Sequence, residues 1–151
     1  MDSETAPASE SDRQQDEPAH PRSGVVLLVE DYEDVRVGLS ELLQLNGYRV
    51  ADAPDAEQAM ECLQSKPASY ALVLLDLLLP GISGATFRNW QLSKPGLASI
   101  PTVLVTAFEP KAETVASLRP ASWLEKPFRA DDILRIVRRY VTPETAAAAE
   151  A

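Results

Sequence analysis

Asp76 is a single carboxylate within an otherwise apolar stretch, LVLLDLLLP over residues 72–80. An ionised carboxylate is costly to bury alone, so such an aspartate is normally paired, metal-bound or placed at a strand end. The apolar run before Asp76 is short, and Pro80–Gly81 soon follows, which favours a buried strand that ends where Asp76 emerges. Other parts of the chain must therefore supply partners for this carboxylate.

Other short apolar runs in the chain also end in polar side chains of the kinds that bind metals or phosphoryl groups. These runs and the residues that follow them are 24–29 with Glu30 and Asp31, 101–105 with Thr106, and 122–125 with Lys126. If all of these runs are strands of one parallel sheet, their carboxyl ends meet in one crevice.

The chemistry of such a crevice is that of a hard cation and a phosphoryl group. Carboxylates within ~4–6 Å repel one another unless a cation lies between them. An oxygen-only set formed by Glu30, Asp31 and Asp76 suits Mg²⁺ and not Zn²⁺. Lys126 and Thr106 can donate hydrogen bonds to a phosphoryl oxygen, and a carboxylate can accept a phosphoryl group as an aspartyl phosphate.

The elements that would position these residues alternate along the chain. Short apolar, β-branched runs predict strands, and apolar residues at helical spacing predict the helices between them. The predicted strands cover 24–29, 48–51, 69–76, 101–106 and 122–125. The predicted helices cover 34–45, a segment that begins near Pro54, 85–92, a weaker 109–118, and 129–140. Five alternations indicate an α/β fold, a parallel sheet with helices on both faces.

The chain resembles the receiver domain of two-component response regulators over roughly residues 24–141. The resemblance rests on several motifs in the right order and on the right elements. They are Glu30–Asp31 after strand one, Asp76 with Pro80 and Gly84 in the pattern Asp-x-x-x-Pro-x-x-x-Gly, Thr106–Ala107 after strand four, and Lys126–Pro127–Phe128 near the end. It implies a flavodoxin-like, doubly wound (β/α)5 fold with strand order 2-1-3-4-5.

The resemblance implies roles for individual residues. Asp76 would be the phosphoacceptor. Lys126 would contact the phosphoryl group, and its peptide bond to Pro127 would be cis. Thr106 would move toward the phosphoryl group, and Trp123 would follow it as the second switch residue. The Mg²⁺ ligands would be Glu30, Asp31, Asp76 and the backbone carbonyl of Leu78.

The resemblance also implies partners. The phosphoryl donor would be a phosphohistidine on a sensor histidine kinase or a histidine phosphotransfer protein, and the output would pass to a partner protein that the sequence does not identify. The chain would assist its own phosphorylation and dephosphorylation without being an enzyme for another substrate. Homodimerisation is left open, as is the chain being part of a longer protein.

Three features depart from the usual pattern of the family. Trp123 stands where a smaller Tyr or Phe is usual, so an inward rotamer requires more room. The interval from Thr106 to Lys126 is short and contains Arg119–Pro120, which predicts a short or irregular helix there. Leu77, Leu78 and Leu79 are expected to form an apolar rim that slows the entry of water and lengthens the phosphoryl lifetime.

Two other functions compete with the phosphorylatable switch. An aspartate-nucleophile phosphohydrolase would commonly carry a second Asp two residues after its nucleophile, and Leu78 occupies that position here. A phosphorylation-independent interaction module on the same scaffold would not require Glu30, Asp31, Thr106 and Lys126 to be intact.

Composition and charge limit the possible partners and the cellular compartment. The 151-residue chain has a formal net charge of -9 and 45% hydrophobic residues. The acidic balance, without a basic cluster, argues against direct binding of nucleic acid or an anionic membrane. Cys62 is the single cysteine, which excludes an internal disulfide and favours a reducing compartment. We expect a cytoplasmic protein with a disordered acidic tail over 1–23, a receiver domain over 24–141 and a flexible tail over 142–151.

Overall fold

A computed structural model of the protein describes residues 20–144. Its strands are β1 (Val25–Val29), β2 (Arg49–Ala53), β3 (Tyr70–Asp76), β4 (Thr102–Thr106) and β5 (Ser122–Glu125). Its α-helices are α1 (Glu33–Leu45), α2 (Ala56–Ser65), α3 (Gly84–Leu92), α4 (Pro95–Ala98), α5 (Ala112–Leu118) and α6 (Ala130–Tyr140). A 3₁₀ turn at Pro67–Ser69 precedes β3.

The five strands form one sheet in the order β2-β1-β3-β4-β5, and every neighbouring pair is parallel. This confirms the predicted α/β class and strand order. The central strands are apolar throughout because helices cover both of their faces. Every residue of β4 and all but the first residue of β1 and of β3 are buried.

The two faces of the sheet carry separate hydrophobic clusters. One cluster joins alternate residues of β1 and β3 to α1 and α6, with Leu43, Ile133 and Val137 fully buried. The other joins the intervening strand residues to α2, α3 and α4, with Leu63 and Phe87 fully buried. This alternation follows from the period of two along a strand, and it closes the core on both sides.

Most predicted elements are confirmed, with shifts at their ends. β2 covers Arg49–Ala53 instead of 48–51, because Asp52 and Ala53 pair with Leu28 and Val29 of β1. Tyr48 lies before this strand, and its N–H donates to the carbonyl of Leu43 at 3.0 Å. Such pairings depend on the neighbouring strand and leave no mark in the local sequence.

The helix after β4 is short, as the interval before Lys126 predicted. α5 begins at Ala112, three residues later than predicted, and Leu118 is its one buried residue. The unpredicted α4 is a single turn that starts with Pro95, a favourable first helical residue.

Residues just outside the predicted domain limits of 24 and 141 also contact the domain. Arg22 forms a parallel bridge with Val141, and the N–H of Thr142 donates to the carbonyl of Arg22 at 3.0 Å. Glu144 forms an ion pair with Arg49 at 2.6 Å. The predicted tails otherwise fall on residues 1–19 and 145–151, which lie outside the described residues, so the domain limits stay a prediction. Between residues 20 and 144, no helix combines the length and apolar character that crossing a membrane requires.

Candidate functional site

The polar residues that follow the strands share one edge of the sheet. Glu30 and Asp31 follow β1, Asp76 and Thr106 end β3 and β4, and Lys126 follows β5. The structure therefore brings the predicted residues to one crevice. Glu30, Asp76 and Thr106 are buried, whereas Asp31 is exposed.

Lys126 connects two of the carboxylates. Its ammonium Nζ lies 3.1 Å from Glu30 Oε1 and 3.1 Å from Asp76 Oδ2. Burial opposes the charged form of Lys126, but the hydrogen bonds to Asp76 and Glu30 outweigh it, so the pKa of Lys126 is raised. The lysine remains a cation and partly neutralises the crevice. The peptide bond between Lys126 and Pro127 is cis, as the resemblance implied.

Three carboxylates are close enough to bind one metal ion. Glu30, Asp31 and Asp76 each offer an oxygen, and these oxygens all lie within 4.8 Å of one another. Burial raises the pKa of Glu30, against hydrogen bonds from the Tyr32 N–H and Lys126 that lower it, and the nearby Asp76 raises it further. Such a group of hard oxygen donors fits Mg²⁺, which would relieve the repulsion among them.

The loop after β3 contacts the Asp76 side chain and leads into α3. The N–H of Leu78 donates to Asp76 Oδ1 at 3.0 Å, which orients the carboxylate. A Cβ atom on Gly84 would lie 2.5 Å from the Asp76 carbonyl oxygen and 2.7 Å from the Cα of Leu77. The first residue of α3 must therefore be glycine for the helix to start this close to the acceptor. This gives a physical reason for the glycine in the Asp-x-x-x-Pro-x-x-x-Gly pattern.

The predicted leucine rim is only partly present. Leu79 is buried and Leu77 packs partly buried against the core beneath the sheet, whereas Leu78 is 63% exposed. The expectation that all three leucines form a rim was wrong, because the turn directs alternate side chains into the core. Of the three leucines, Leu78 is the one whose side chain is exposed.

Thr106 binds the loop that follows it. Its Oγ1 donates to the Phe108 carbonyl at 2.9 Å and accepts a hydrogen bond from the Phe108 N–H at 3.1 Å. The Phe108 side chain is 71% exposed. Trp123 is half-buried and packs against the cluster that contains Leu104 and Phe87.

Arg36 is a contributor that sequence reasoning missed. Its Nη1 donates to the Glu30 carbonyl at 3.0 Å, and its Nε lies 3.6 Å from Asp52. Arg36 thus connects the first turn of α1 to Glu30 and to Asp52 of β2. In the sequence it has the pattern of an ordinary solvated helix residue, so no local signal identifies it.

Comparison with known proteins gives a consistent picture. A family model described as the response regulator receiver domain matches residues 26–138. Protein Rrf1 of Nitratidesulfovibrio vulgaris is 30% identical over 126 residues, which cover 80% of this chain and 88% of Rrf1. The response regulator protein FleR of Pseudomonas aeruginosa is 32% identical over 117 residues, which cover 76% of this chain but 24% of FleR.

Solved structures share the fold. The chemotaxis protein CheY4 of Vibrio cholerae superposes with a TM-score of 0.71 at 25% identity, covering 79% of this chain and 99% of CheY4. The response regulator TrrA of Thermotoga maritima, solved in complex with Mg²⁺–BeF, gives a TM-score of 0.68 at 28% identity. That match covers 77% of this chain and 97% of TrrA.

Proposed function

Since the chain belongs to the response regulator receiver family, we propose that it is a phosphorylatable signalling switch with Asp76 as the phosphoryl acceptor. The observation that carries the proposal is the position of Lys126, whose ammonium lies 3.1 Å from both Asp76 and Glu30. This cation stands beside the acceptor oxygen, where negative charge accumulates during phosphoryl transfer.

Four oxygen donors would hold Mg²⁺ in this proposal. They are the carboxylates of Glu30, Asp31 and Asp76 and the backbone carbonyl of Leu78. When bound, Mg²⁺ supplies positive charge against the oxygens of the transferring phosphoryl group. The close approach of the three carboxylates supports this assignment. Their oxygens lie within 4.8 Å of one another, and a cation between them would offset their mutual repulsion.

The proposed transfer uses a phosphohistidine donor. A carboxylate oxygen of Asp76 forms a bond to phosphorus while the bond from phosphorus to the donor's imidazole nitrogen breaks, and that nitrogen keeps the electron pair. Lys126 donates to a phosphoryl oxygen from the edge of the crevice. The Leu78 N–H holds the Asp76 carboxylate in orientation for the attack.

The proposed response begins at Thr106. A phosphoryl group on Asp76 adds strong acceptor oxygens, and the Thr106 hydroxyl exchanges its bonds to Phe108 for one of them. Trp123 adjusts its packing in response, as the second switch residue. The donor is a sensor histidine kinase or a histidine phosphotransfer protein of the cytoplasm, and output passes to a partner protein or a second copy of the chain.

Turnover of an external substrate is not part of this proposal. A phosphohydrolase site requires an acid near the leaving group, and the exposed Leu78 side chain has no group that can donate a proton. Asp76 is therefore proposed as an acceptor whose phosphoryl group persists long enough to signal.

The experiment is intact-mass measurement after incubation with acetyl phosphate and Mg²⁺. We expect wild type to gain the mass of one phosphoryl group and Asp76→Asn to gain none. Asp131→Asn, which removes an exposed carboxylate on α6, is the matched control and should gain one phosphoryl group. An unchanged mass in wild type would overturn the proposal in favour of a phosphorylation-independent interaction module.

A further inference from the structure

Arg88 is a buried cation that the proposed function does not use. It lies on α3 and is 4% exposed. Four of its five N–H donors are engaged, all with neutral oxygens. Within residues 20–144, no carboxylate forms an ion pair with it. Burial of a cation is costly unless its donors are paired, so the hydrogen bonds of Arg88 must offset this cost.

Two acceptors of Arg88 are the carbonyls at the end of α5. Nε donates to the Leu118 carbonyl and Nη2 donates to the Arg119 carbonyl, each at 2.9 Å. A helix C-terminus carries partial negative charge and unpaired carbonyls, so a guanidinium there satisfies both needs. Burial first, and then Arg119, lower the pKa of Arg88 to about 10, so the charge is kept at neutral pH.

The remaining donors connect Arg88 to a closed network. Nη1 donates to Gln91 Oε1 and to Thr102 Oγ1, each at 2.9 Å. Thr102 Oγ1 donates to the same Gln91 oxygen at 3.0 Å. The Gln91 amide nitrogen donates to the carbonyls of Leu97 and Ile100. Arg88 thus links α3, α4 and the start of β4 to the C-terminus of α5, and networks satisfied to this degree are rigid.

The N-terminal end of α5 has no comparable support. Lys111 caps the helix without a side-chain hydrogen bond. Residues 107–109 and 111–113 are exposed. Among the described residues, the side-chain hydrogen bonds of this segment are the two between Thr106 and Phe108. A buried network therefore holds the C-terminal end of the helix. The loop before its N-terminal end is bonded through Phe108 to Thr106, the last residue of β4.

We propose that Arg88 is a positioning residue that makes the C-terminal end of α5 a pivot. Phosphorylation of Asp76 then moves residues 107–112, while residues 117–121 keep their place. The inference rests on the proposed function, because the movement starts when Thr106 releases the backbone of Phe108.

The pivot is tested in wild-type protein by residue-resolved amide hydrogen exchange. The two states compared are the free protein and the protein with Mg²⁺ and beryllofluoride, an analogue of the phosphoryl group. We expect exchange at residues 107–112 to change by roughly tenfold or more and exchange at Arg119 and Ala121 to stay within about twofold. Equal changes at both ends of α5 would overturn the pivot.

The role of Arg88 is tested by Arg88→Met without any phosphoryl analogue, with Arg135→Met on the exposed face of α6 as control. We expect amide exchange at Arg119 and Ala121 to rise by roughly tenfold or more in Arg88→Met only. If this variant does not fold, Arg88→Lys serves, because it keeps the charge but loses the fork of donors. Unchanged exchange in a folded Arg88 variant would overturn the assignment.

The two proposals fail in different ways. If Asp76 accepts no phosphoryl group, the mass of wild type stays constant, which overturns the proposed function and with it the pivot. The Arg88 variants still report whether the guanidinium holds α5. If Asp76 is phosphorylated but both ends of α5 respond alike, the proposed function stands and the pivot is wrong.

Discussion

At the scale of single residues, Lys126 determines the electrostatics of the crevice. It is the cation within hydrogen-bonding distance of both buried carboxylates, and its raised pKa shows that these contacts outweigh the effect of burial. A buried carboxylate that loses its cation is left with an uncompensated charge. The same ammonium would face the phosphoryl group, so structure and proposed chemistry depend on one side chain.

Lys126→Met should slow phosphorylation by acetyl phosphate by about 10²–10³-fold, the usual effect of removing one donor to developing negative charge. Intact-mass time courses with Mg²⁺ measure the rate. Lys111→Met, which removes an exposed lysine at the start of α5, should react at the wild-type rate. A wild-type rate in Lys126→Met would contradict the assigned role.

Leu78 is the residue whose side chain is expected to affect the lifetime of the phosphoryl group. Leu78 lies two residues after Asp76 and is 63% exposed, whereas Leu77 and Leu79 turn toward the core. An apolar side chain at the mouth of the crevice neither binds nor orients a water molecule for attack on the aspartyl phosphate. A long-lived phosphoryl group is the expected result.

Leu78→Asn should shorten the phosphoryl lifetime by about threefold to tenfold, which corresponds to about 0.7–1.4 kcal/mol in the barrier. The backbone N–H to Asp76 is retained, so acceptor geometry is kept. Loss of phosphoryl mass after removal of acetyl phosphate gives the lifetime. Leu45→Asn, at the exposed end of α1, is the control and should leave it unchanged. A lifetime in Leu78→Asn equal to that of wild type would count against this explanation.

At the scale of elements, the site depends on how closely α3 approaches the end of β3. Gly84 is the point of contact, where the helix begins against the backbone of Asp76 and Leu77. Ser83 caps α3 by accepting a hydrogen bond from the Thr86 N–H at 3.1 Å. The loop that follows Asp76 therefore ends in a capped helix that lies directly against the backbone of Asp76 and Leu77.

Gly84→Ala should destabilise the fold by about 1–3 kcal/mol, because the new Cβ would overlap backbone atoms that cannot move aside cheaply. Gly38→Ala is a matched control within α1, where nothing lies within 4 Å of the added Cβ. That change should stabilise by about 0.5–1 kcal/mol, since glycine is unfavourable inside a helix. Urea unfolding measures both, and equal effects of the two substitutions would refute the steric explanation.

At the scale of the whole molecule, one edge of the sheet carries the charged crevice, and the opposite edge carries both ends of the described range, 20–144. Arg22 and Thr142 join beside α6, and Glu144 reaches Arg49 at the start of β2. The crevice lies at the carboxyl ends of the strands, away from these contacts. Binding of a ligand at the crevice therefore leaves these contacts intact and should add to the stability of the folded state.

Mg²⁺ should stabilise the protein by about 1.4 kcal/mol when present at ten times its dissociation constant, since the proposed ligands meet only in the folded crevice and not in the unfolded chain. Thermal unfolding with and without Mg²⁺ measures the effect. Asp31→Asn should abolish it by removing one carboxylate ligand, while the nearby exposed Asp34→Asn should keep it. An undiminished Mg²⁺ effect in Asp31→Asn would exclude Asp31 from the ligand set.

The sequence by itself determined the fold class and the identity of the crevice residues. Short, continuous apolar runs that are bounded by turn residues are typical of strands in a sheet covered on both faces. The polar residue that ends such a run then lies at the carboxyl edge of the sheet. Glu30, Asp76, Thr106 and Lys126 were found in this way. The position of each residue at the end of a strand is enough to predict that they lie together, because the carboxyl ends of parallel strands share one edge of the sheet.

Only the tertiary structure decided which atoms meet. Lys126 pairs with Glu30, 96 residues away in sequence, and with Asp76, 50 residues away. The 3.1 Å distances between their atoms depend on the order and twist of the strands. The same holds for Arg88, which resembles a solvated helix residue in sequence but is buried against the end of α5. Local sequence patterns indicate which residues of a strand or helix share one face of that element. The element that packs on that face is set by the long-range pairing of the sheet, which no short segment encodes.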